Sequence, residues 1–134
     1  MHSVFVLCQN YPSEKDKYSM AFVHPRIKEY LKTGLDVKVI SFACNCSYIY
    51  DEVQVYTLQK GKELLRKSEK VILIAHAPNI KNHLFFILKT WKYLDRLILF
   101  FHGHEVLSTK KYYPRPYDFN KAAKREYRFL RLYD

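Results

Sequence analysis

Glycine and proline are scarce in this chain, whose 134 residues include only 3 glycines and 5 prolines. These low counts exclude collagen-like chains and Pro/Gly-rich disordered chains, whose composition needs several times more of both. Hydrophobic residues make up 49% of the chain and charged residues 27%, which is the usual balance for a globular protein. The length is enough for one domain with a buried core.

Cysteine is also scarce. The chain has three cysteines, Cys8, Cys44 and Cys46. This odd number does not fit a small disulfide-stapled domain, in which the cysteines are paired. One residue separates Cys44 from Cys46, and zinc-binding cysteine pairs leave two or more between them. We therefore expect reduced structural thiols and a cytoplasmic location.

Long apolar runs are absent from the sequence. No run reaches the about 18 residues that a membrane-spanning helix needs. The N-terminus has a short apolar run without a cationic leader, so we expect a first strand there rather than a signal peptide. The sequence also lacks GxGxxG, P-loop and GxSxG motifs. We therefore expect neither a dinucleotide nor an ATP site of the usual kind, and no resident cofactor.

Positive charge is in excess, with a formal net charge of +10. Residues 110–134 contain eight Lys or Arg and three acidic residues, so this segment supplies half of the excess. Such a balance favours polyanionic partners, namely nucleic acid, anionic lipid head groups or phosphorylated small molecules.

Predicted strands and helices alternate along the chain. Near-continuous apolar runs predict buried strands, the partly alternating run at 37–42 and the weaker one at 53–58 predict two more, and apolar residues at helical spacing predict helices. The predicted strands span 4–8, 37–42, 53–58, 71–75 and 97–101, and helices are predicted around 22–31 and over 61–68, 80–93 and 119–133. The predicted core face of the helix over 80–93 is Leu84, Ile87, Leu88, Trp91 and Leu94. This order predicts an α/β, Rossmann-like fold with a mainly parallel sheet and flanking helices.

Candidate functional residues follow the predicted strands, because ligands of open parallel sheets bind beyond the carboxyl ends of the strands. Asn10 and Tyr11 follow the first strand, His76 follows the fourth, and His102 and Gly103 follow the last. Histidine can donate or accept a proton near neutral pH, and glycine lets the backbone approach a ligand closely. A polar residue after a buried strand can equally be structural, so both interpretations stand.

The other histidines carry weaker signals. We expect His2, His24 and His83 to be structural or exposed. His102 and His104 lie two residues apart, as a metal-binding pair would, but no third ligand has suitable spacing. We therefore expect no metal site.

Six short segments, taken in order, resemble glycosyltransferase family 4 enzymes. They are NYPS at 10–13, AFVH at 21–24, LKTG at 31–34, VKVIS at 37–41, HAP at 76–78 and HGHE at 102–105. The last segment resembles the family's signature of histidine, glycine and an acidic residue. Each segment is weak alone, and the ordered set covers most of residues 3–107.

The resemblance implies that residues 1–134 form one Rossmann-like domain, the N-terminal, acceptor-side half of a two-domain GT-B fold. Such a retaining transferase moves a sugar from a nucleotide-sugar donor to a glycan or lipid-linked acceptor in polysaccharide synthesis, without an essential metal. By position, His102 would face the donor sugar as the catalytic residue. The donor–acceptor cleft would be lined by Asn10, Tyr11, His76, Gly103 and Glu105.

The chain departs from the family pattern in two ways. The family often has glycine before the Phe-Val step, where this chain has Ser19, Met20 and Ala21, so backbone contacts from this loop to phosphate are in question. The family's C-terminal domain, which holds most of the donor, is missing from the sequence. We therefore expect a chain cut short at its C-terminus and inactive in isolation.

The predicted helix over 119–133 has one apolar and one basic face. Its candidate membrane or anion contacts are Lys121, Lys124, Arg125 and Arg128. A cationic amphipathic helix can lie on an anionic membrane, which would suit a lipid-linked acceptor at the inner face of a membrane. The apolar face would instead pack on the sheet if this is an ordinary covering helix, and we favour that interpretation.

A non-catalytic basic module that binds nucleic acid or other anions is the alternative. The charge of +10 and the twelve tyrosines would serve phosphate neutralisation and base stacking. The sequence has no RNP motif, helix-turn-helix or zinc finger, so we do not expect nucleic acid as the partner. A flavodoxin-like or response-regulator-like domain is disfavoured, since no acidic cluster or phosphate-binding loop follows the first strand.

Overall fold

The computed structural model describes residues 2–101 of the chain. Within them lie six strands and three α-helices. The strands are β1 (Ser3–Cys8), β2 (Asp36–Ser41), β3 (Tyr48–Tyr50), β4 (Val53–Tyr56), β5 (Val71–His76) and β6 (Leu94–Phe100). The helices are α1 (His24–Lys32), α2 (Leu58–Lys67) and α3 (Phe85–Thr90). The predicted helix over 119–133 lies outside the described residues.

The six strands form one sheet in the order β3-β4-β2-β1-β5-β6. Every neighbouring pair is parallel except β3 and β4, which are antiparallel. The predicted α/β, Rossmann-like fold with a mainly parallel sheet is therefore confirmed. None of the helices described is long and apolar enough to cross a membrane.

Two hydrophobic cores cover the two faces of the sheet. Alternate residues of β1 point to opposite faces, so Val4 and Val6 join the core under α1 while Phe5 and Leu7 join the core under α2 and α3. The first core includes Val23 and Ile27, and the second includes Leu65. Burial on both faces explains why β1 and β5 appear in the sequence as continuous apolar runs.

Two residues mark the ends of α1. Pro25 lies in the first turn, where its missing N–H costs nothing. Gly34 follows the helix with φ of 83° and donates its N–H to the Leu31 carbonyl at 3.0 Å. This left-handed conformation is typical of the residue that ends a helix.

The strand β3 was not predicted from the sequence. It pairs with β4 through a tight turn in which Asp51 and Glu52 both have positive φ, 46° and 70°. Two successive positive φ values match the twist of a hairpin, but glycine or asparagine usually signals such a turn. Because Glu52 stands where glycine usually follows aspartate in such a turn, the sequence rules miss this edge hairpin.

The helix predicted over 80–93 is three helical pieces in succession. A π-helical turn at Ile80–Leu84 leads into α3, and a 3₁₀ turn at Trp91–Tyr93 follows, so that β6 starts at Leu94 rather than at 97. We call residues 80–93 the α3 segment.

The predicted core face of the α3 segment is wrong. The buried side chains are His83, Phe86, Ile87 and Thr90, so of the predicted face only Ile87 is buried. Leu84, Leu88 and Trp91 are exposed. Two sets of residues at helical spacing run along this segment. The buried set is hard to recognise in the sequence because it includes the polar His83 and Thr90. Thr90 is accommodated because its hydroxyl donates to the Phe86 carbonyl at 2.8 Å.

Helix α2 packs unusually close to the sheet at Gly61. It begins at Leu58, three residues before the prediction, with the Thr57 side chain accepting a hydrogen bond from the Lys60 N–H. A Cβ atom added at Gly61 would lie 2.5 Å from Cγ1 and 2.7 Å from Cδ1 of Ile40, a fully buried residue of β2. Glycine is therefore required here by the approach of the helix to the sheet.

We expect Gly61→Ala to destabilise the protein by about 1–3 kcal/mol through overpacking, although alanine is the better helix former. Urea unfolding measures this change in the free energy of unfolding. Gln59→Ala at an exposed position of the same helix is the control. In an Ile40→Ala background, Gly61→Ala should lose most of its cost, and an equal cost in both backgrounds would show that the Ile40 contact is not the cause.

Candidate functional site

The order of the strands reverses at β1. This strand pairs with β2 on one side and with β5 on the other, so the loops that leave the carboxyl ends of β1 and β5 run to opposite sides of the sheet. A crevice opens between such loops, and ligands of open α/β sheets bind there. The switch point therefore lies between the segment after Cys8 and the segment after His76.

Three side-chain amides meet at this switch point. Gln9 follows β1, and its Oε1 accepts hydrogen bonds from Nδ2 of Asn82 at 2.8 Å and from Nδ2 of Asn79 at 3.3 Å. The Oδ1 of Asn79 accepts from the backbone N–H of Asn82 at 2.8 Å and of His83 at 3.4 Å, which caps the π-helical turn. We call Gln9, Asn79 and Asn82 the amide cluster. It ties the loop after β5 to the end of β1, and the half-buried Asn10 follows Gln9 in the chain.

The loop after β5 begins with a strained residue. Ala77 has φ of 47°, and its N–H donates to the carbonyl of Phe100 at 2.9 Å. The left-handed conformation costs a non-glycine residue roughly 1–2 kcal/mol. The bend turns the chain away from β5 directly after His76 and brings Asn79 back towards β1.

His76 is the last residue of β5 and lies inside the fold, with 1% of its surface exposed. Its ring stacks on Phe100 of β6, with the ring centres 4.9 Å apart and the planes 9° from parallel. The guanidinium of Arg26, on α1, lies 4.7 Å from the centre of the Phe100 ring. The predicted cleft residue His76 is therefore packed beneath the crevice, where it shapes the floor.

Tyr11, another predicted cleft residue, is held by hydrogen bonds on the far side of the loop after β1. It is 4% exposed, and its hydroxyl lies 2.5 Å from Nδ1 of His24. The other nitrogen of His24, Nε2, lies 2.9 Å from Oδ2 of Asp51 in the hairpin turn. The Tyr48 hydroxyl donates to the Tyr11 carbonyl at 3.2 Å. Tyr11 and His24 thus join the loop, α1 and the hairpin, and the structural interpretation of His24 holds.

The electrostatics of this chain of hydrogen bonds follow from its burial. Desolvation raises the pKa of the Tyr11 hydroxyl, so the group stays protonated throughout the physiological range. The hydrogen bond from His24 lowers the pKa of the Asp51 carboxyl, and the charge of nearby Lys28 lowers it further. The network is therefore a neutral hydroxyl, an imidazole and a carboxylate, which suits fixing a loop.

A groove between α2 and α3 adjoins the amide cluster. Its volume is about 270 Å³, and it is lined by Phe42, Leu58, Lys62, Lys81, Asn82, Phe85, Phe86 and Lys89. Asn82 belongs to both the groove and the amide cluster, so the two sites are continuous. None of the described residues that line the groove is acidic. The arrangement combines an aromatic floor with three ammonium groups, which favours an anionic ligand with an apolar part.

Sequence reasoning placed Asn10, Tyr11 and His76 near the switch point but did not find Asn82 or the groove. The spacing of Asn79 and Asn82 was the available signal, because an asparagine that caps a helix bonds the N–H two or three residues later. The other predicted site residues lie outside the described residues: His102, Gly103, Glu105, Lys121, Lys124, Arg125 and Arg128. Within residues 2–101, no three His, Cys, Asp or Glu side chains are grouped closely enough to hold a metal ion.

His83 lies directly beneath the amide cluster and is fully buried. Its ring packs edge-on against Phe42, with the ring centres 4.9 Å apart. Burial lowers the pKa of His83 from 6.5 to about 4, and the carbonyls of Leu7 and His76 oppose this shift only in part. The folded protein therefore keeps this imidazole neutral well below the pH at which it would protonate in the unfolded chain.

We expect this histidine to weaken the fold in acid. As the pH falls from about 6.5 to about 4, His83 becomes protonated in the unfolded chain but stays neutral in the folded chain. The free energy of unfolding therefore falls by about 3 kcal/mol in that window. Urea unfolding at a series of pH values measures the loss. His83→Gln should flatten this part of the profile, and Gln59→Ala, which removes no titrating group, should leave it unchanged. Parallel profiles for wild type and His83→Gln would contradict the assignment.

Comparison of the chain with protein-family models, with curated proteins and with solved structures gives no match. The resemblance to glycosyltransferase family 4 therefore stays a prediction. The structure itself establishes a six-stranded, mainly parallel α/β fold with a polar crevice at its switch point and a lysine-lined groove beside it.

Proposed function

We propose that this chain is the acceptor-side domain of a retaining glycosyltransferase, which moves a sugar from a nucleotide-sugar donor to a glycan or lipid-linked acceptor. The observation that carries the proposal is the amide cluster at the switch point of the sheet, where Gln9 and Asn79 follow the two strands that flank the crevice. Two of the segments that resemble the family, at 10–13 and 76–78, lie at the carboxyl ends of these two strands. A nucleotide sugar is a substrate here, and no cofactor is invoked.

Amide groups suit a sugar acceptor. Each amide offers both a donor and an acceptor, and a sugar hydroxyl needs both kinds of partner. Asn10 lies next to the amide cluster and is half-buried, so it is the residue we assign to direct contact with an acceptor hydroxyl. Tyr11 and His24 are positioning residues, because the hydrogen bond between them holds the loop that carries Asn10.

The lysines beside the crevice suit a phosphate-bearing acceptor. Lys62, Lys81 and Lys89 surround an aromatic floor, so the groove can hold a phosphate together with the apolar chain to which it is attached. A lipid-linked sugar has this combination of groups. The acceptor class therefore connects the groove to the crevice, and a peripheral position at the inner face of a membrane follows as part of the proposal.

His102 is the residue we assign to the reacting sugar. It lies two residues after Phe100 in the chain, and Phe100 ends β6 beside His76. In the proposal, His102 faces the donor sugar, Gly103 allows the backbone to turn, and Glu105 lines the same cleft. The family resemblance assigns most of the donor nucleotide to a second domain, so transfer requires this chain together with that domain.

Sugar transfer by the full product of the gene tests the proposal, with a panel of nucleotide sugars and a lipid extract as the source of acceptors. We expect His102→Ala to lower kcat at least about tenfold, since a positioned histidine contributes that much or more. The matched control is His2→Ala, because His2 is exposed and pairs with Asp95 at the opposite edge of the sheet. Asn10→Ala should mainly raise the KM for the acceptor.

One result would contradict this function, and two would contradict its residue assignments. If wild-type protein transfers no sugar from any donor of the panel, the glycosyltransferase proposal is wrong. If transfer occurs and is equal in wild type and in His102→Ala, His102 is only a residue at the end of a strand. An effect of Asn10→Ala on donor KM alone would move the acceptor site away from the amide cluster.

A non-catalytic basic binding module is the second candidate. Three lysines and the exposed ring of Phe85 line the groove. The lysines can hold a phosphate and the ring can stack a base, which favours this second function. Affinity for a generic oligonucleotide across a salt series distinguishes the two. A steep loss of affinity with salt that Lys81→Gln reduces would support this second function.

A further inference from the structure

The α3 segment exposes an apolar surface where a covering helix normally exposes polar side chains. Leu84, Phe85, Leu88 and Trp91 are 37%, 57%, 61% and 61% exposed. Leu84, Leu88 and Trp91 are spaced by four and three residues, which places them along one side of the segment, opposite the buried Phe86 and Thr90, and Phe85 flanks them. Single exposed apolar residues are normal, but four on adjacent turns form a patch that indicates a binding surface.

Positive charge borders this patch. Lys81, Lys89 and Lys92 are exposed on the same segment, and residues 77–93 contain no aspartate or glutamate. Among the described residues, none of these three lysines forms an ion pair, whereas Lys28, Lys32 and Lys38 all do. We call the four apolar side chains and the three lysines the α3 outer face.

The charge of the α3 outer face decides between its possible occupants. A second copy of the chain would meet it across a two-fold axis, and lysines would then face lysines in a low-dielectric contact. The segment 110–134 of the same chain carries eight basic and three acidic residues, so it is repelled as well. An anionic partner with an apolar interior satisfies both the lysines and the apolar side chains.

We propose that the α3 outer face docks on an anionic lipid bilayer. Leu84, Phe85, Leu88 and Trp91 enter the boundary between head groups and acyl chains, and Lys81, Lys89 and Lys92 bind lipid phosphates. This arrangement has the features of interfacial helices: aromatic and leucine side chains on one side, lysines beside them, and tryptophan at the depth of the head groups.

The groove beside α3 extends this surface. Lys81, Phe85 and Lys89 belong to both the groove and the α3 outer face, so a lipid that binds the face also lies at the mouth of the groove. The proposed lipid-linked acceptor would reach the amide cluster from there. Bilayer binding itself does not rest on sugar transfer, and the two proposals can fail separately.

Trp91 provides a direct test, since it is the only tryptophan of the chain. The full chain is mixed with phosphatidylcholine vesicles, with or without roughly one-third phosphatidylglycerol, which supplies the negative surface. We expect a blue shift of tryptophan emission with the anionic vesicles only, and quenching when the lipids carry bromine on their acyl chains. Both signals report entry of Trp91 into the bilayer.

Substitutions on the α3 outer face test the two kinds of contact. Leu88→Ser should weaken vesicle binding at least about fivefold, and the control Ile49→Ser, at a residue that is equally 61% exposed on β3, should have no effect. Replacing Lys81, Lys89 and Lys92 by glutamine should weaken binding roughly fivefold per lysine. The control with the same loss of charge replaces Lys15, Lys17 and Lys32, which lie in and before α1 across the sheet.

Four results would overturn the proposal. If the chain binds anionic vesicles but Trp91 emission does not change, another segment such as 119–133 makes the contact. If Trp91 emission shifts with protein concentration in the absence of lipid, a second copy covers the face. If the two triple-lysine variants lose equal affinity, the attraction is to net charge alone. Absence of binding to all vesicles would leave an acidic protein as the occupant and would equally refute lipid docking.

Discussion

The pairing of β1 with strands on both of its sides is the constraint on which this structure depends. Five of the six residues of β1 are buried, and each contributes to one of the two cores. The same strand is where the connections change direction, so the central position of β1 creates both the packing and the crevice. The amide cluster then fastens the loop after β5 to the end of β1. Stability and the candidate site thus share one element.

Much of the fold follows from the sequence because strands buried on both faces are unusually easy to recognise. β1, β2 and β5 appear as short, mostly apolar runs, and segments with apolar residues at helical spacing lie between them. The hairpin at β3 was missed because three residues at a sheet edge carry little hydrophobic pattern and because Glu52 stands where glycine usually follows aspartate in such a turn. The face of the α3 segment was predicted wrongly because His83 and Thr90 are buried in spite of their polarity. The His83 ring packs against Phe42, a contact that only the tertiary structure supplies, and the Thr90 hydroxyl bonds the Phe86 carbonyl within the helix.

The candidate site was predictable in its position but not in its partners. A residue directly after a buried parallel strand must lie at the carboxyl edge of the sheet, and that rule located Asn10, Tyr11 and His76. It does not tell whether such a side chain turns towards a ligand or into the protein. His76 stacks on Phe100 and Tyr11 bonds His24, from sequence separations of 24 and 13 residues, so packing between elements decided both outcomes. The groove needed two helices and a strand end to form, and no single stretch of sequence records it.

The register of β1 has a consequence for how the chain is made. Ser3 pairs with Asp36 on one side but with Val71, 68 residues later, on the other. During synthesis β1 can pair with β2 early, but its second edge stays without β5 until that strand has left the ribosome. At about 5–20 residues per second, this delay lasts roughly 3–14 s. An apolar strand with an open edge for that time is a site for mistaken pairing between chains, so we expect nascent copies to be more prone to aggregation than the folded protein.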